Sequence, residues 1–130
     1  DVLLTHVHSD HSGLAEELAG RERKIFISAP DLWCVKAFKN GTLRPMQIDH
    51  YCEDGFPRDQ VEKLFSSGAE WIAISKRVDG RFSPLKDGDE ISVGDHVLKM
   101  ILTPGHSPGH CCFYETEKGY LYIIDDIFPI

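Results

Sequence analysis

Two short runs hold most of the histidines in this chain. His6-Val7-His8-Ser9-Asp10-His11 sets three imidazoles and a carboxylate close together, and Thr103-Pro104-Gly105-His106-Ser107-Pro108-Gly109-His110 adds two more imidazoles. Five of the chain's seven histidines therefore lie in two places. Neutral imidazole is the commonest protein ligand for a metal, and a neighbouring carboxylate lets a second ion join. Chance assembly of both runs in one chain is remote, so metal binding is the first expectation. His50 and His96 stand alone and read as surface, capping or hydrogen-bonded core histidines.

These ligands need elements that aim them. Asp1 to Thr5 reads as the end of a buried strand, with Val2, Leu3 and Leu4 continuously apolar. If the backbone stays extended beyond it, His6 and His8 stand at i and i+2 and point to the same side. Ser9, Ser12 and Gly13 let the chain turn, so that Asp10 and His11 face a neighbouring position. A helix-borne HExxH would need i, i+4 spacing instead. The second run cannot be helical, because Pro104, Gly105, Pro108 and Gly109 break it around both histidines.

The motifs THVHSDH and TPGHSPGH, followed by the apolar strand that ends in Ile123-Ile124-Asp125-Asp126-Ile127-Phe128, resemble the metallo-β-lactamase-fold hydrolase superfamily. The similarity is nearest to its glyoxalase II-like and lactonase-like branches. It implies an αββα sandwich, an α/β fold that this chain covers only in part. It implies that His6, His8 and His106 bind one metal and that Asp10 and His11 bind a second. A bridging carboxylate falls on Asp125, with Ile124 where the family often has glycine and Asp126 where it often has a hydroxyl residue; Asp126 is the neighbouring alternative. The implied ions are zinc, two in the complete domain, with iron or manganese as alternatives. In the implied mechanism Asp10 both binds metal and orients the attacking water. His110 and Asp126 are candidates to hold a ligand from behind, and His110 can equally be a loop histidine that holds backbone. The family's first strands and its last histidine ligand have no counterpart here, so the chain reads as a segment of a longer protein.

The rest of the chain alternates helix and strand. Helices are expected over Ser12 to Gly20, Pro30 to Asn40 and Pro57 to Ser67, and strands over Lys24 to Ser28, Val97 to Leu102, Cys111 to Glu115 and Tyr120 to Ile124. Residues 41 to 56 show little periodicity and read as a loop. The wider segment 41 to 83 reads as an insertion or substrate-facing stretch whose Phe56, Phe65, Trp71 and Phe82 either line a pocket or belong to the core. A single domain over residues 1 to 130 is expected, supplying one sheet in part and its covering helices.

Composition narrows the class. With 42% hydrophobic and 27% charged residues the chain is a globular protein and not a disordered one. Its net charge of -7 argues against a nucleic-acid partner. No apolar run approaches the roughly 20 residues that span a bilayer, so no membrane partner is expected. Cys34, Cys52, Cys111 and Cys112 show no CxxC spacing and read as reduced thiols of a cytoplasmic protein. The expected function is a hydrolase that uses a metal-activated water on a thioester, lactone or related ester-like bond of a small molecule. The rivals are a mononuclear iron dioxygenase of the persulfide type and a metal-binding fragment without turnover.

Overall fold

Alternation within Ile25-Phe26-Ile27 sets the layers of the molecule. Ile25 and Ile27 are fully buried on one side of their strand, while Phe26 turns to the other. The computed structural model describes residues 1–66 and 81–125. This strand, β2 (Ile25–Ser28), is the middle of a three-stranded parallel sheet with β1 (Val2–Leu3) and β3 (Phe82–Leu85) at its sides. Parallel neighbours need long crossovers. Between β1 and β2 the chain runs through α1 (Ser9–Ser12) and α2 (Ala15–Ala19). Between β2 and β3 lie α3 (Ala29–Lys39), α4 (Leu43–Glu53) and α5 (Arg58–Ser66). The chain then forms an antiparallel meander of β4 (Glu90–Val93), β5 (His96–Leu102), β6 (Cys111–Glu115) and β7 (Tyr120–Tyr122).

Two cores follow. Ile25, Ile27, Leu4, Val7, Leu32, Val35 and Phe82 pack between the parallel sheet and the helices. Leu3 and Phe26, on the opposite face, pack with Leu85, Met100, Cys111 and Phe113, so the two sheets lie against each other. A backbone bond from Cys111 N–H to Thr5 O, 2.9 Å long, ties the sheets at the edge where the ligand loops emerge.

The expected α/β class and the helices after β2 agree with this arrangement, and three differences have physical causes. First, the chain holds two sheets and not one in part; β3 and β4 are short and carry Pro84 and Ser92, which hide their pattern. Second, residues 43 to 53 are helical. Pro45 sits in the first turn, where its missing N–H does no harm, and Leu43 alone is buried, so no apolar periodicity marks the helix. Third, the helix expected over Ser12 to Gly20 is shorter, Ala15–Ala19, and Ser12 ends the preceding α1. Ser12 caps neither; its hydroxyl donates to Val7 O and His8 O at 2.8 and 2.9 Å. Of the aromatics expected to line a pocket or join the core, Phe82 joins the helix-side core, and Phe56 packs edge-on against Tyr51 on the surface. Trp71 and Asp126 lie outside the described residues.

Candidate metal centre

The ligand-bearing segments meet because each follows a strand toward the same edge. His6 leaves the end of β1, and His8 remains extended (φ -61, ψ 150) as the residue before α1. The single turn of α1 then carries Asp10 and His11. His106 lies in the loop from β5 to β6, and Asp125 follows β7. Asp125 has φ 62, a left-handed conformation that aspartate tolerates better than most residues.

Within this edge the donor atoms form two groups that share His6. His6, His8 and His106 offer three nitrogens within 4.8 Å of one another, and His6, His11 and Asp125 form a second such group. His8 Nδ1 and His106 Nε2 face each other at 3.0 Å. Two nitrogens bound to one tetrahedral zinc stand about 3.3 Å apart, so this pair already has nearly the spacing that an ion imposes. Asp125 Oδ2 lies 3.0 Å from His11 Nε2 and 3.7 Å from both His6 Nε2 and His106 Nε2. Its carboxylate thus belongs to the second group and also faces His6 and His106 of the first. Asp10 is set apart: its side chain is 77% exposed, and its Oδ2 reaches His11 Nε2 at 3.4 Å.

Electrostatics favours the neutral, metal-binding form of His6 and His8. His6 is fully buried, and burial with the neighbouring His11, His8, His106 and His110 lowers its pKa to about 4. Burial, then the facing His106, lowers His8 as well. His6 Nε2 is buried with no hydrogen-bond partner among the described residues, while Thr5 Oγ1 lies 3.2 Å from Nδ1. A buried polar atom without a partner is costly, and a cation at this point would satisfy it. The donor set therefore fits a metal.

Two further residues shape the centre. His110 is fully buried; its Nε2 donates to Ile124 O at 2.6 Å, and its Nδ1 lies 2.9 Å from Thr103 Oγ1. It holds the backbone that presents Asp125. Asp31, which no sequence motif marks, is wholly buried with its carboxylate directed at both ligand loops. As a lone acid in the first turn of a helix it carries no signal that separates it from an ordinary helix-start residue. His50 and His96 are away from the centre, beside Asp54 and Glu115 respectively. Cys111 and Cys112 are buried strand residues outside both donor groups.

A cavity of about 430 Å³ opens beside His8 and His106. Trp33, Phe38, Leu64 and Phe65 supply apolar walls, and Arg44, Gln47 and Tyr51 come from one face of α4 at i, i+3 and i+7. Cys34 also lines it, but burial raises its thiol to about 11, which rules it out as a nucleophile near neutrality. No helix among the described residues is long and apolar enough to cross a membrane.

Comparison with known proteins gives consistent results. A family profile described as the metallo-beta-lactamase superfamily matches residues 1–129. A hydroxyacylglutathione hydrolase of Maricaulis maris is 39% identical over 129 residues, which cover 95% of this chain and 47% of that protein. A hydroxyacylglutathione hydrolase of Legionella pneumophila (strain Corby) is 30% identical over 88 residues, covering 67% of this chain and 35% of that protein. Among solved structures, a metallo-beta-lactamase family protein from Thermus thermophilus superimposes with a TM-score of 0.58 at 28% identity, covering 98% of this chain and 42% of the other. A beta-lactamase domain protein from Burkholderia ambifaria also gives 0.58, at 24% identity, over 92% of this chain and 34% of its own. The chain thus spans about half the length, or less, of the relatives it matches.

Proposed function

This chain belongs to the metallo-β-lactamase superfamily, and from that premise we propose that it is part of a metal-dependent hydrolase that cleaves a thioester, lactone or related bond of a small molecule. The observation that carries the proposal is the pair of donor groups sharing His6, with the Asp125 carboxylate of one group also facing His106 of the other, beside a largely apolar cavity.

In this reading His6, His8 and His106 would hold one ion, Asp10 and His11 would hold a second, and Asp125 would serve both. Zinc is the metal that such a nitrogen-rich set with carboxylates suits best. Bound metal would supply Lewis acidity toward the substrate carbonyl and bring a water's pKa toward neutrality. The protein's own groups do the rest. Low pKa values keep His6 and His8 neutral, so their lone pairs are available at physiological pH. Asp10 is exposed beside His11, where its carboxylate would accept a hydrogen bond from the attacking water and orient it. His110 fixes the Ile124 carbonyl and so the placing of Asp125. Asp126 is a further candidate for orienting a ligand.

The cavity supports a small-molecule substrate, its apolar part against Trp33 and Phe65 and its reacting carbonyl near His8 and His106. α4 and α5 supply much of that wall, which supports residues 41 to 83 as a substrate-facing segment within a single partial domain over 1 to 130. The name of the Maricaulis maris relative favours a hydroxyacyl thioester. A negative net charge and cysteines present as thiols favour a cytoplasmic enzyme without nucleic-acid or membrane partners. The test is a panel of glutathione thioesters and lactones offered to the zinc-loaded full-length protein. Hydrolysis that His8→Ala abolishes supports the reading, and retained hydrolysis in that variant refutes the site.

A further inference from the structure

We propose that Asp31 is a positioning residue for the metal centre: its buried carboxylate fastens the HxHxDH loop to the GHSPGH loop and so sets the spacing of His6, His8 and His106. The proposal rests on the metal-site reading above.

Asp31 lies in the first turn of α3, an element with no ligand in either donor group. Its Oδ2 accepts from Val7 N–H at 2.9 Å, the amide between His6 and His8. The Ser107 hydroxyl reaches Oδ2 at 3.0 Å and Oδ1 at 3.2 Å, and Gly109 N–H donates to Oδ1 at 2.7 Å. Ser107 and Gly109 belong to the same loop as His106. One carboxylate thus joins segments 24, 76 and 78 residues away in sequence.

Helix capping does not explain this side chain. Ser28 Oγ already accepts from Asp31 N–H, at 3.3 Å, and is the cap of α3. Burying a carboxylate is expensive unless hydrogen bonds compensate, and here Val7, Ser107 and Gly109 all donate from the two ligand loops. Burial accordingly raises the Asp31 pKa, while the bonds from Ser107, Gly109 and Val7 oppose that rise.

Gly109 is shaped by the same contact. A Cβ there would stand 2.6 Å from Asp31 Oδ1 and 2.5 Å from Asp31 N, closer than real side chains come. The second glycine of the GHSPGH run is therefore a consequence of how near that loop approaches Asp31. Any side chain at 109 would lift the loop, and His106 with it.

The experiment measures metal affinity on metal-stripped full-length protein, using zinc with a chromophoric chelator as competitor and the visible absorption of bound cobalt. Asp31→Asn keeps the size but offers an amide N–H₂ to loop donors; it should weaken zinc binding by about 10- to 100-fold and alter the cobalt spectrum. Ser107→Ala removes one bond and should weaken binding several-fold. The double variant should lose little more than Asp31→Asn alone, because both act through one carboxylate. Wild-type affinity and spectrum in folded Asp31→Asn, with only its melting temperature lowered, would make Asp31 a fold residue and overturn the proposal. If Asp31→Asn does not fold, unchanged affinity in Ser107→Ala overturns it. Wild-type protein that binds neither zinc nor cobalt would instead sink the metal-site reading on which the proposal stands.

Discussion

His6 is the side chain on which the centre turns. It is fully buried, belongs to both donor groups, and has one nitrogen facing Thr5 with the other directed at Asp125. Its pKa of about 4 against 6.5 in the unfolded chain has a definite consequence for the metal-free protein. Between those values the unfolded state takes up a proton that the native state refuses. The contribution of neutral His6 is therefore fully present above pH 6.5 and is lost as pH falls toward 4. The loss reaches about 3 kcal/mol at its limit, and chemical denaturation of metal-free protein at pH 7.5, 5.5 and 4 should follow it. His6→Gln should flatten that profile. Metal binding should weaken over the same range as protons compete for the imidazole. His110 acts one step further back. His110→Ala frees the Ile124 carbonyl and should lower kcat more than it raises KM, since it disturbs Asp125 while leaving the cavity intact.

Among the elements, the meander and the parallel sheet are joined by packing that a single substitution can test. Met100 on β5 is fully buried between the sheets with Phe113 and Phe26 nearby. Met100→Ala should cost about 2–5 kcal/mol in urea denaturation. Trp33 and Phe65 line the cavity from α3 and α5, and Trp33 is 51% exposed in it. Alanine at either should raise KM several-fold while the melting temperature changes little. These elements also mark where sequence reasoning reached its limit. The first run of histidines and His106 were legible because their spacing has few uses besides metal binding, and Pro and Gly fixed the loop around His106. Strands such as Cys111–Glu115 were legible by composition. α4 was not, because it buries only Leu43 and so leaves no periodic trace. Asp31 was not, because its function arises from contacts 24 to 78 residues distant that no local pattern encodes.

Taken as a whole, the molecule is a scaffold that carries three loops to one edge. Two sheets packed face to face place the ends of β1, β5 and β7 together, and the Cys111–Thr5 backbone bond locks that edge. Helices α2 and α3 cover one sheet, and α3 also walls the cavity together with α4 and α5, so a helix that stabilises the fold also shapes the cavity. The metallo-β-lactamase superfamily thus accounts for the position of the centre, and the segment from α4 to α5 is where selectivity is expected to reside. The most direct test of the central claim is the metal content of the purified full-length protein, read by elemental mass spectrometry beside its His8→Ala variant. The account predicts two equivalents of zinc per chain, reduced to one or fewer by the substitution. One equivalent of iron alone, or zinc content unchanged in His8→Ala, would contradict it.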